Sequence, residues 1–98
     1  MKINFHQDNG TLNVALEGRL DTTTAPELEK ELSRLMPAAE SLTLDFAGLA
    51  YISSAGLRVL LAAQKAMMPK EGMKVINVND IVQEVFEVTG FADILTIE

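Results

Sequence analysis

The chain has 98 residues, 48% hydrophobic and 22% charged, which excludes disordered and low-complexity classes and leaves room for one domain, expected over residues 1–98. Eight Lys and Arg face fourteen Asp and Glu, for a net charge of −6, so nucleic-acid phosphates and anionic membranes are disfavoured partners. There is no cysteine, and His6 is the single histidine, which removes disulfides, thiol catalysis and metal sites built on clustered Cys or His.

No apolar run reaches the length of a membrane span, and no signal peptide is expected. A cytoplasmic location is the expectation.

Lys2-Ile3-Asn4-Phe5-His6 alternates polar and apolar residues as a half-buried strand does, with His6 on the solvent side. Asp8-Asn9-Gly10 predicts a tight turn, because Asn-Gly readily takes positive φ. Thr11 to Leu16 alternates again and completes a hairpin that Gly18 is expected to close. Thr24-Ala25-Pro26-Glu27 predicts a helix start, with Thr24 as cap and Glu27 completing a capping box. Leu28, Leu32 and Leu35 recur at helical spacing, and Met36-Pro37 ends the helix.

Ser41 to Phe46 reads as a strand, followed by a short loop of mostly small residues. Ile52-Ser53-Ser54 introduces a second helix running to about Met67, with Leu57, Leu60 and Leu61 on its apolar face and Val59 at the margin. Met73 to Val78 predicts a fourth strand. Asp80 is expected to cap a third helix that buries Ile81, Val85 and Phe86, and Gly90 suits its left-handed end. Ile94 to Ile97 predicts a short fifth strand. The order ββαβαβαβ implies an α/β fold with a mixed, mostly parallel sheet of about five strands and helices packed against it.

The most unusual stretch is Tyr51-Ile52-Ser53-Ser54-Ala55-Gly56-Leu57, two hydroxyls and two small residues at a strand-to-helix junction. A serine here either caps the helix or serves as a phosphate site, since a helix N-terminus presents unpaired N–H groups and partial positive charge. Arg58 lies one turn after Ser54 and either pairs with such a phosphate, pairs with a partner's carboxylate or is simply solvated. A nucleophile elbow would need Gly where Ile52 stands, and no Gly-Lys-Ser/Thr phosphate loop is present. Gly18 to Thr24 is the second candidate. In a parallel sheet this loop sits near Ser53-Ser54, and Asp21 would either orient Ser54 or bind a divalent ion of a partner's nucleotide.

On these residues the chain resembles STAS domains of the stand-alone bacterial anti-sigma-factor antagonist type. The likeness covers nearly the whole chain: Gly18-Arg19-Leu20-Asp21 before the first helix, the strand containing Leu44-Asp45, and Ile52 to Leu57 leading into Val59-Leu60-Leu61. It implies a phosphoprotein that controls transcription by partner switching and needs neither a catalytic activity of its own nor a cofactor. The unmodified antagonist would bind an anti-sigma-factor serine kinase and free its sigma factor, and a metal-dependent serine phosphatase would restore that form. Aligning Gly56-Leu57 with the family's Gly-Leu pair puts the phosphoacceptor at Ser54, and Asp21 matches a family aspartate on the facing loop. The expected partner-binding set is Asp21, Thr22, Thr23, Ser53, Ser54, Ala55, Gly56 and Arg58.

Two departures stand out. The family often carries Asp just before the phosphorylated serine, where this chain has Ser53, and Ser53 is therefore the second choice. The family usually ends on a further helix, whereas this chain stops at Glu98, so an exposed apolar surface able to promote a homodimer is expected. An alternative role implied by the resemblance is a non-phosphorylated STAS subunit of a transport ATPase complex.

Overall fold

The computed structural model describes all 98 residues. Five strands and three helices alternate: β1 (Lys2–Asp8), β2 (Thr11–Leu20), α1 (Ala25–Leu35), β3 (Ser41–Ile52), α2 (Ser54–Met67), β4 (Met73–Ile76), α3 (Asp80–Thr89) and β5 (Thr96–Ile97). The strands form one sheet in the order β1-β2-β3-β4-β5. β1 runs antiparallel to β2, and every later pair is parallel. This is the α/β architecture that the element order implies.

Each helix crosses over to the next strand in the same direction. Right-handed crossovers therefore place all three helices on one face of the sheet. The burial pattern agrees. Leu12 and Val14 of β2 lie in register with Leu42 and Leu44 of β3, and these with Met73 and Val75 of β4; all six are buried, as is Leu16. Their alternating neighbours Asn13, Asp45 and Lys74 face away from the helices and are at least partly solvent-accessible. Phe46 and Phe86 meet in the core with ring centroids 6.4 Å apart.

The hairpin turn forms at Asn9-Gly10, both with positive φ (51° and 86°). Gly90 takes the left-handed conformation, φ 84°, at the end of α3. His6 is exposed on β1.

Several boundaries differ from the sequence reading. Gly18 does not close β2: with φ 105° at an irregularity in the β2–β3 register, it lets the strand bend and continue to Leu20. The expected loop after Phe46 is instead the second half of β3, because Ala47–Ile52 stays paired with the lengthened β2 as far as Leu20 opposite Ile52. Asp45 is thus interior to the strand, where its Oδ1 accepts from the Ala47 N–H at 2.9 Å and from Asn77 Nδ2 at 3.0 Å.

Asn79, not Asp80, caps α3: its Oδ1 accepts from the Val82 N–H at 2.8 Å while its Nδ2 donates to the Leu49 carbonyl, also at 2.8 Å. The buried pair on that helix is Val82 and Phe86, four residues apart on one face. Ile81 is 61% exposed and Val85 is half-buried. In α2, Val59 is buried and Leu61 only half-buried, the reverse of the expected ranking. Phe91 is likewise half-buried beside the core.

No helix is long and apolar enough to cross a membrane.

Candidate functional site

Parallel strands all end on the same side, so the chain segments leaving β2 and β3 are neighbours. Leu20 and Ile52 are register partners, and the Ser53 N–H donates to the Leu20 carbonyl at 2.9 Å. That bond joins the two sequence candidates, the Asp21–Thr24 loop and the Ser53-Ser54 junction, at one rim of the sheet.

Ser53 occupies the cap position of α2 in extended backbone (φ −105°, ψ 177°). Its carbonyl accepts the first helical N–H, that of Leu57, at 3.0 Å. Neither serine makes the expected side-chain cap. The Ser53 hydroxyl is turned inward, buried and without a hydrogen-bond partner. Ser54 is the first residue of the helix proper and is exposed. The N–H groups of Ser54, Ala55 and Gly56 have no backbone acceptor, as a first helical turn dictates. The helix dipole adds partial positive charge there. An anionic group on the Ser54 oxygen is electrostatically tolerated at this position.

Small residues allow α2 to approach the sheet this closely. Gly56 is buried, and a Cβ placed on it would lie 2.7 Å from Leu20 Cγ and 2.9 Å from Ile52 Cγ1. Arg58 projects to solvent and makes no ion pair within the chain.

The facing loop is ordered by Asp21. Its Oδ1 accepts from the Thr23 hydroxyl at 2.8 Å, the Thr23 N–H at 3.0 Å and the Thr24 N–H at 3.2 Å. Thr24 accepts from the Asp21 N–H and donates to the Arg19 carbonyl, each at 2.8 Å. The helix start at Thr24 is thus tied to the chain before it, and no capping box with Glu27 forms. The Thr23 hydroxyl holds the Asp21 carboxyl below the ordinary carboxylate range; desolvation is the next-largest effect and opposes it, and the backbone N–H groups of Thr23 and Thr24 add to the lowering. Asp21 therefore shapes its own loop, and no hydrogen bond links it to Ser54. No group of three or more acidic, His or Cys residues is placed to hold a metal ion. Thr22 and Thr23 remain exposed on the loop.

Two residues of the highlighted stretches gain a role only in the folded chain. Arg19 and Tyr51 are register partners, and the guanidinium carbon sits 4.4 Å from the ring centroid, with Arg19 Nε 3.8 Å from Asp21 Oδ2. Only the corrected strand lengths bring them together. A concavity of about 430 Å³, lined by Thr11, Ser41, Glu71, Lys74 and Glu98 among others, lies at the opposite end of the parallel strands. None of the candidate residues lines it.

The molecule is thus an α/β domain with a single helical layer and a hydroxyl-rich rim. The chain belongs to the STAS domain family: the family model described as "Mlab, STAS domain" matches residues 3–96. BtrV of Bordetella bronchiseptica, named as a candidate anti-sigma factor antagonist, is 36% identical over 99 residues, covering 99% of this chain and 85% of the relative. The anti-sigma-B factor antagonist of Bacillus subtilis is 27% identical over 99 residues, covering 99% and 90%. Among solved structures, the anti-sigma factor antagonist SpoIIAA in its unphosphorylated form superposes with a TM-score of 0.85 at 18% identity, covering 99% of this chain and 88% of that one. The phosphorylated form of SpoIIAA from Bacillus superposes with 0.76 at 17% identity, covering 99% and 91%.

Proposed function

We propose that this chain is an anti-sigma-factor antagonist in a partner-switching system, and that Ser54 is the residue on which the switch turns. The unmodified protein binds an ATP-dependent anti-sigma kinase through the rim formed by Asp21, Thr22, Thr23, Ser53, Ser54, Ala55, Gly56 and Arg58, and so frees the sigma factor. The kinase phosphorylates Ser54 and releases the product. A metal-dependent serine phosphatase regenerates the binding form. The chain is a substrate in this cycle and catalyses none of its steps.

The observation that carries the proposal is the contrast between the two serines. Ser54 is exposed on the first turn of α2, whereas the Ser53 oxygen is enclosed by protein. A kinase needs the hydroxyl to reach an incoming γ-phosphoryl group, and only Ser54 offers that. The names of the relatives supply the class of partner.

The switch follows from charge. Phosphorylation adds about −1.5 to −2 charge at pH 7 and three strong acceptor oxygens. Folding is little affected, since the free N–H groups of the first turn accommodate an anion. Association suffers, because the phosphate must be desolvated in an interface and the chain already carries −6. The experiment is a binding titration against the ATP-binding partner recovered from the host cell with the tagged chain. Ser54→Ala should bind like the unmodified protein and stay bound in ATP, and Ser54→Asp should bind at least about tenfold more weakly. Equal affinities would instead favour a STAS subunit that works without a phosphorylation cycle.

A further inference from the structure

The two edges of the sheet are built differently. β5 offers only Thr96 and Ile97. β1 runs for seven residues, Lys2–Asp8, and β2 is its sole neighbour in the sheet. No loop or side chain of the protein bonds to the outward backbone groups of β1. A long unpaired edge of this kind is a template for another strand.

Sheet edges are usually protected by a charge or a proline within the strand. Here the interior, Ile3-Asn4-Phe5-His6-Gln7, contains no proline and no permanently charged residue. The two charges stand at its ends and have opposite sign. They are symmetric about Phe5, three residues away on either side. Ile3 and Phe5 lie on the helix-covered side, opposite Leu16 and Val14, and are only half-buried.

We propose that β1 is the contact edge of a homodimer in which two copies pair antiparallel about Phe5, joining their five-stranded sheets into one of ten. In this register Lys2 of each copy lies opposite Asp8 of the other, Asn4 opposite His6, and the two Phe5 rings are cross-strand neighbours. Directly opposed residues share a face, so Ile3 and Phe5 of both copies stay beside the helical layer and gain burial there. Ile3 of each copy lies opposite Gln7 of the other, so it is the end charges and the central Phe5 pair that are self-complementary, and these select a second copy over an unrelated strand. Another strand would have to reproduce both end charges. The contact leaves the Ser54 rim free, because Ser54 follows β3 and β2 stands between β3 and β1. It holds whether or not Ser54 is phosphorylated.

One strand and its flanking side chains bury less than the roughly 1,200–2,000 Å² of a stable interface. The dimer is therefore reversible, with a dissociation constant between about 10 µM and 1 mM.

The test is sedimentation equilibrium of four full-length proteins over that concentration range. They are the wild type, Lys2→Glu, Asp8→Lys and the double variant. The wild type should dimerise. Each single variant creates two like-charge pairs per dimer and should weaken association about tenfold. The double variant restores both pairs with signs exchanged and should return to within about threefold of wild type. Amide exchange supplies a second readout: protection of alternate β1 amides should rise with protein concentration in the wild type. Thermal unfolding of the monomers checks that the exposed substitutions leave the fold intact. A wild type that stays monomeric throughout the range overturns the proposal. So does a dimer equally strong in all four proteins, which would place the contact elsewhere, or a double variant as weak as the singles.

Discussion

Gly56 lies against Leu20 so closely that a single added Cβ would come within 2.7 Å of the leucine Cγ. Leu20 is fully buried and ends β2, and the Asp21 loop begins at the next residue. The contact therefore sets the spacing between the two halves of the rim. The glycine is needed here for room, since its φ is not in the left-handed region.

Gly56→Ala gains about 1 kcal/mol in helix propensity and loses more to overpacking, typically 1–3 kcal/mol. The expected result is a net destabilisation of up to about 2 kcal/mol in urea unfolding. Partner binding should weaken as well, because α2 must move away from Leu20. A variant as stable as the parent would show that Leu20 and Ile52 repack freely.

The Asp21 loop should respond to acid in a defined direction. Its carboxyl titrates lower in the folded protein than in the unfolded chain. Asp21 thus contributes stability that is fully present above the unfolded value, near pH 4. That contribution is lost as pH falls through the folded value. Asp21→Ala should melt below wild type at pH 7, and the gap should narrow as pH falls below the unfolded value of about 4 and through the lower folded one. Melting curves of both proteins across that range measure the difference. A gap that widened towards low pH would have the wrong sign.

The start of α3 distinguishes two adjacent residues. Asn79→Ala removes the cap to Val82 and the bond to the Leu49 carbonyl, for an expected loss of about 1–3 kcal/mol. Asp80→Ala removes only a favourable charge in the first turn and should cost about 0.5 kcal/mol. Chemical denaturation of the pair checks the order, and the reverse order would restore Asp80 as the cap.

Much of the fold was legible because it is written in local chemistry. Asn9-Gly10 gave the hairpin, Met36-Pro37 the end of α1, and Gly90 the end of α3. The misread strand lengths have one root. Strand length depends on pairing with a neighbour, and no single strand encodes that. Ala47 to Tyr51 looks like a loop of small residues until β2 runs past Gly18 and pairs with it. The same extension brings Arg19 over Tyr51, which is why that pair was invisible in the sequence.

The cap of α3 was misplaced because Asn79 and Asp80 are both good cap residues. What decides between them is the Leu49 carbonyl, thirty residues earlier in the chain. Lys70 is a similar case. Its Nζ donates to the carbonyls of Met36, Pro37 and Ala39, at 3.0, 3.1 and 2.6 Å, and holds the segment after α1. The candidate site could be located from the serines and the glycine alone. Which serine faces solvent could not, because that depends on the backbone angle at the junction.

The central claim is that Ser54 carries the switch. Its most direct test is phosphosite mapping by tandem mass spectrometry, after incubating the chain with the ATP-binding partner recovered from its host, ATP and Mg²⁺. The account predicts one phosphoryl group, on Ser54, and none in Ser54→Ala. An unmodified chain, or a phosphate found on Ser53 alone, would contradict it.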